Sequence, residues 1–124
     1  MAQVGDGAVI YQLGSDAVHT LSRFSTSEYI NETSFLTSSN YLDDFYCSSI
    51  NCEGITALAM MTDGLQMLAL RILEKTAHAP FFRTMFQFAG NPKSTDVELA
   101  QFLSSDRVCE RTDDDKTLLL AVRV

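Results

Sequence analysis

Residues Ile55–Met61 form an almost unbroken apolar run, Ile-Thr-Ala-Leu-Ala-Met-Met, which Thr62-Asp63-Gly64 ends sharply. A run of strand length with no polar alternation predicts a buried central strand. A second apolar, β-prone segment at residues 118–124 is entered through the acidic turn Asp113-Asp114-Asp115. With 124 residues, 46% of them apolar and 20% charged, the chain suits one domain or part of a larger one and buries a core.

Further strand signals precede the central run. Val4 and Ala8-Val9-Ile10-Tyr11 flank Gly5-Asp6-Gly7, so the chain reads as opening in mid-sheet. Residues 18–24 alternate Val18, Thr20, Ser22 and Phe24 against His19, Leu21 and Arg23, a weak strand pattern. Residues 25–39 are rich in Ser, Thr and Asn, as loops are, with a short strand expected at residues 34–37.

Helical periodicity takes over at Leu65, where Leu68, Ala69, Ile72 and Leu73 share one face and Gln66, Arg71, Glu74 and Lys75 point elsewhere. Pro80 suits the first turn of a second helix whose apolar face is Phe82, Met85, Phe86 and Ala89, with Gly90 and then Pro92 ending it. Thr95 with Glu98 three residues on is a capping-box signature for a third helix. That helix turns Leu99, Phe102 and Leu103 inward and frays near Ser104-Ser105-Asp106. Strands first, helices next and a strand last predict an α+β fold, with the helices together on one face of an antiparallel sheet.

Nine Lys and Arg against sixteen Asp and Glu give a net charge of −7, which argues against nucleic-acid binding and against attraction to an anionic membrane. No apolar run approaches a membrane span and the N-terminus lacks signal-peptide character, so a cytoplasmic protein is expected. Cys47, Cys52 and Cys109 are odd in number and lack zinc spacing, which makes them ordinary thiols. His19 and His78 have no partner at ligand spacing, and no serine-hydrolase elbow or phosphate-cradling glycine loop occurs. The cluster Phe81, Phe82, Phe86 and Phe88 has helical spacing and reads as core.

Asp63 and Asp114 each sit between a buried strand and a turn. If the two strands pair antiparallel, the end of the first and the start of the second share one edge of the sheet, and both carboxylates come near one point. Convergent carboxylates repel unless a cation neutralises them, and hard oxygen ligands with room for water suit Mg²⁺ or Mn²⁺. Each segment taken alone reads more readily as a turn or a solvated loop. Gly5-Asp6-Gly7 is open in the same way, between a hairpin and a special backbone position. Residues 113–115 lack the spacing and distal Glu of a calcium loop, so an EF-hand is excluded.

Four segments in order, Val4-Gly5-Asp6-Gly7-Ala8, Asn31-Glu32-Thr33-Ser34-Phe35-Leu36-Thr37, Met61-Thr62-Asp63-Gly64-Leu65 and Thr112-Asp113-Asp114-Asp115-Lys116-Thr117-Leu118, resemble the C-terminal half of a bacterial metal-dependent phosphatase of the protein phosphatase 2C family. His78-Ala79-Pro80-Phe81-Phe82 is similar to the compact bacterial members. The resemblance implies half of a four-layer α-β-β-α sandwich, with a two-metal Mn²⁺ or Mg²⁺ centre whose activated water hydrolyses phosphoserine or phosphothreonine in proteins. It implies Asp63 and Asp114 as metal ligands, with Asp6, Gly64, Asp115 and Thr117 in supporting positions.

The family's N-terminal half supplies a bridging Asp-Gly motif and a phosphate-holding Arg, and residues 1–124 contain neither. The resemblance therefore implies a single incomplete domain, inactive alone, with an uncovered sheet face open to self-association. A non-catalytic, partner-binding relative of the phosphatases is the alternative. An unrelated acidic α+β domain whose Asp-Gly turns are only turns is the third reading.

Overall fold

A computed structural model of the chain describes residues 1–15, 17–23, 35–39, 41–43 and 45–123. Its centre is a four-stranded antiparallel sheet of β2 (Ala8–Leu13), β3 (Ala17–Thr20), β5 (Ile55–Met61) and β8 (Leu118–Val122) in the order β3-β2-β5-β8. The apolar run is an interior strand, as expected. Two-residue strands β1 (Ala2–Gln3) and β4 (Tyr46–Cys47) pair in a separate ribbon, so residues 2–3 lie outside the main sheet.

Alternation decides which face of the sheet is covered. Ala8 and Ile10 of β2, Ala57, Ala59 and Met61 of β5, and Leu118 of β8 point into the core, each less than a tenth exposed. The small alanines leave room for Phe82, Met85 and Phe86 of α2 (Ala79–Gly90), whose Phe82 is fully buried. Large side chains on the helix thus meet small ones on the sheet, which keeps the interior close-packed. On the opposite face the cross-strand neighbours Met60 and Leu119 are 46% and 52% exposed.

Pro80 stands in the first turn of α2, as its fixed φ favours. Thr95 caps α3 (Asp96–Leu103) through the full capping box: its hydroxyl accepts from the Glu98 backbone N–H, and the Glu98 carboxylate accepts from the Thr95 N–H at 2.9 Å. Leu99, Phe102 and Leu103 pack partly buried against the core. The chain then makes one more turn, α4 (Asp106–Cys109), which buries Val108 completely. Among the described residues no helix is long and apolar enough to cross a membrane.

Several expected elements differ: the strand pattern at residues 18–24 is strand only to Thr20, and Val4 lies in no strand. The helix from Leu65 lasts one turn, α1 (Gln66–Ala69), and gives way to a hairpin of β6 (Leu70–Arg71) and β7 (Thr76–Ala77). The reversal turns on Lys75 at φ 53° and is fastened by the His78 N–H to the Ala69 carbonyl at 2.8 Å. It buries Leu70 and sets β7 beside β3, a tertiary gain that outweighs helical periodicity and leaves Ile72 half exposed and Leu73 fully exposed. The expected strand at residues 34–37 is a turn over residues 35–38. There the Ser38 hydroxyl takes the Phe35 N–H at 3.0 Å and the Phe35 carbonyl takes the Ser38 N–H at 2.9 Å, a local pairing that competes with a ladder. Ser34 and Phe24 lie outside the described residues. All three cysteines are free and exposed.

Phe82 is the test of the sheet–helix core. Phe82→Ala should lower stability by about 3–5 kcal/mol in urea unfolding, because the surrounding alanines cannot collapse into the space. A loss below about 1 kcal/mol would show that this ring is not a core anchor.

Candidate metal centre

Antiparallel register carries the two acidic segments to one place. Met61 pairs with Leu118 at the end of the β5–β8 ladder, so the chain leaving β5 and the chain entering β8 emerge side by side. Thr62 fastens them: its N–H donates to the Thr117 carbonyl at 3.2 Å, and its hydroxyl accepts the Thr117 N–H at 3.0 Å and donates to the Asp115 carbonyl at 3.3 Å. Gly64, in a 3₁₀ turn over Asp63–Leu65, closes the gap. A Cβ there would overlap the Asp115 carbonyl oxygen and stand 3.3 Å from the Asp114 Cβ, so only glycine fits.

Asp63 and Asp114 are both exposed at this edge. Asp63 accepts the Gly64 N–H at 3.0 Å through Oδ1, and Asp114 accepts the Asp115 N–H at 2.9 Å through Oδ1. Each leaves its second oxygen without a hydrogen bond among the described residues. Asp114 is steadied further by its N–H to the Thr112 hydroxyl at 3.3 Å, and the Lys116 ammonium donates to its carbonyl at 3.0 Å.

The Gly5-Asp6-Gly7 turn joins the same edge. Gly5 adopts φ 86°, and a Cβ on Gly7 would lie 3.1 Å from the Met61 carbonyl, so the segment is a special backbone connection rather than a hairpin. The Gln66 amide donates to the Asp6 carbonyl, tying this turn to α1. The Gln3 amide donates to the carbonyls of Gly5 and Gly7 at 3.0 and 2.7 Å. A cavity of about 820 Å³ beside the turn is lined by Asp6, Thr62 and Asp63 together with Met60, Phe35 and Phe45.

All six residues singled out from sequence therefore lie in the three segments that meet here. Asp63, Gly64, Asp114, Asp115 and Thr117 are joined through Thr62 and Gly64, and the Asp6 turn through Gln66. Among the described residues, no three His, Cys, Asp or Glu side chains form a metal-ligating group. Thr62, Gln66 and Gln3 were not singled out, since neutral side chains acting on backbone carry no pattern. Their one signal is adjacency to Asp63-Gly64 and Gly5-Asp6-Gly7. The histidines stay outside this edge: His19 stacks on Tyr11 at 5.3 Å across β2 and β3, and His78 precedes α2.

Sequence comparison gives the chain's family. The chain matches the Protein phosphatase 2C family over residues 1–104, and it belongs to that family. It is 37% identical over 127 aligned positions to serine/threonine-protein phosphatase 3 of Escherichia coli (strain K12), an alignment covering 97% of this chain and 49% of the relative. The chain thus spans about half the length of the curated relative it matches. No solved structure matches the chain significantly. The family match ends ahead of Asp114, so the place of that residue rests on the β5–β8 register.

Gly64 is the direct probe of the edge. Gly64→Ala should cost about 1–3 kcal/mol in thermal or urea unfolding, as overpacking against backbone does. Thr62→Val, which keeps shape but removes the hydroxyl, should cost about 1 kcal/mol. If both variants match the parent chain, the two segments are not held together as described.

Proposed function

We propose that residues 1–124 are the C-terminal portion of a metal-dependent serine/threonine phosphatase domain, active on phosphoserine and phosphothreonine in proteins only with the rest of that domain. The observation that carries this reading is the close seating of Gly64 on Asp114 and Asp115, which sets the Asp63-Gly64 turn against the second acidic segment. Family membership and the half-length match to a phosphatase support it. So does the exposed Met60 and Leu119 face, which the remaining strands of a sandwich would cover.

The donor set fits one hydrated Mg²⁺ or Mn²⁺ held by the open oxygens of Asp63 and Asp114, since such ions take one or two carboxylates and keep several waters. When bound, the metal supplies Lewis acidity toward water and phosphate oxygens. This chain's own contribution is placement. Thr62 and Gly64 hold the two acidic segments together, Asp115 and Thr117 hold the second segment through their backbone, and the Asp6 turn is tied to α1 by Gln66. Two carboxylates do not make a two-metal centre, and turnover waits on ligands from elsewhere in the domain.

Calorimetric titration of the chain with Mn²⁺ and Mg²⁺ tests this reading. One weak site is expected, weakened about tenfold or more in both Asp63→Asn and Asp114→Asn, with no Mn²⁺-dependent phosphate release from a phosphothreonine peptide. Binding that survives either substitution would contradict the shared site. Phosphate release by this chain alone would contradict the division of the centre.

A further inference from the structure

The strongest unexplained feature lies on the helical side. A cavity of about 610 Å³ opens between α1, the β6–β7 hairpin, α2, α3 and α4. Its floor is apolar, built from Leu70, Met85, Phe102 and Val108. Its charged lining is cationic, Arg71, Arg107 and Arg111, with His78 and Thr84 as the other polar side chains. Three of the chain's nine Lys and Arg gather there in a molecule of net charge −7, and no Asp or Glu is among its lining residues within the described part of the chain.

Two of these three charges are unpaired among the described residues. Arg71 pairs with Glu74 at 3.1 Å on the exposed surface. Arg107 and Arg111 make no side-chain hydrogen bond or ion pair among the described residues. Arg107 lies in α4 and Arg111 two residues past its end, and both line the same cavity. The setting also excludes simple occupants. A lone inorganic anion would leave the apolar floor wet, and a purely apolar ligand would strip water from guanidinium groups without pairing them.

We propose that this cavity docks an acidic segment of a partner protein, with one large apolar side chain on the floor and flanking carboxylates on Arg107 and Arg111. Charge complementarity and the buried apolar anchor are the two elements of such recognition. The cavity flanks the metal edge. Arg111 is three residues from Asp114 and Met67 of the lining three from Gly64, so each pair of Cα atoms lies within about 11 Å. Docking uses none of the metal ligands, and it stands or falls separately from the phosphatase reading.

Fluorescence anisotropy with labelled nonapeptide pools tests the proposal on the intact chain. One pool carries Leu, Phe or Met at its centre between Asp and Glu residues. Control pools carry Ser at the centre, or Lys and Arg as flanks. The acidic, apolar-centred pool should bind about tenfold tighter than either control and weaken severalfold from about 50 to about 300 mM salt. Arg107→Glu with Arg111→Glu should cost about tenfold or more, and the milder Gln pair a smaller part of it, with Lys93→Glu on the α2–α3 connection as an unaffected reference. Circular dichroism confirms that each variant is folded. Failure of every pool to bind, equal binding of the control pools, or binding unchanged by charge reversal would each overturn the proposal. So would displacement of the peptide by inorganic phosphate or dodecanoate as effectively as by unlabelled peptide, which would mark a small-anion or amphiphile site.

Discussion

The seating of Gly64 on the backbone of Asp115 is the constraint on which the meeting of the two acidic segments depends. β5 and β8 could pair in the same register with any residue at position 64, but a side chain there would drive residues 114–117 away from Asp63. The Thr62 hydroxyl, which accepts from Thr117 and donates to Asp115, then locks the approach that glycine permits. Two backbone groups of an exposed loop are thereby satisfied by one side chain.

The elements that follow from local chemistry were legible in the sequence. Ile55–Met61 announces an interior strand because apolar residues on both faces suit no other place, and Pro80, Gly90 and the Thr95–Glu98 box mark helix ends by the backbone groups they satisfy. Elements decided at long range were not legible. Residues 65–73 carry a helical period, yet the hairpin wins through Leu70, Ala77 and the approach of β7 to β3. The β1–β4 ribbon joins residues more than forty positions apart with two-residue strands, too short to leave a pattern. At the site the acidic residues announced themselves, whereas Thr62 and Gln66 act on backbone carbonyls and look like any neutral residue.

Charge is unevenly distributed on either side of this edge. Asp63, Asp113, Asp114 and Asp115 concentrate negative charge at the mouth of the β5–β8 pair, while Arg107 and Arg111 gather just before them in sequence. An acidic edge suits a hard cation, and a cationic cavity with an apolar floor suits an acidic, anchored ligand. The same short stretch from α4 into β8 thus carries both signs of charge within a few residues. Met60 and Leu119 give the other sheet face an apolar character that the helices do not cover.

The central claim is that Asp63 and Asp114 act at one point. Titrating ¹⁵N-labelled protein with trace Mn²⁺ and following amide line broadening tests it most directly. The account predicts that amides of residues 63–66 and 114–117 broaden together at the same Mn²⁺ concentration, and that both sets sharpen together in Asp114→Asn. Broadening of one segment without the other, or broadening spread over distant acidic positions such as Asp96 and Glu98, would contradict it.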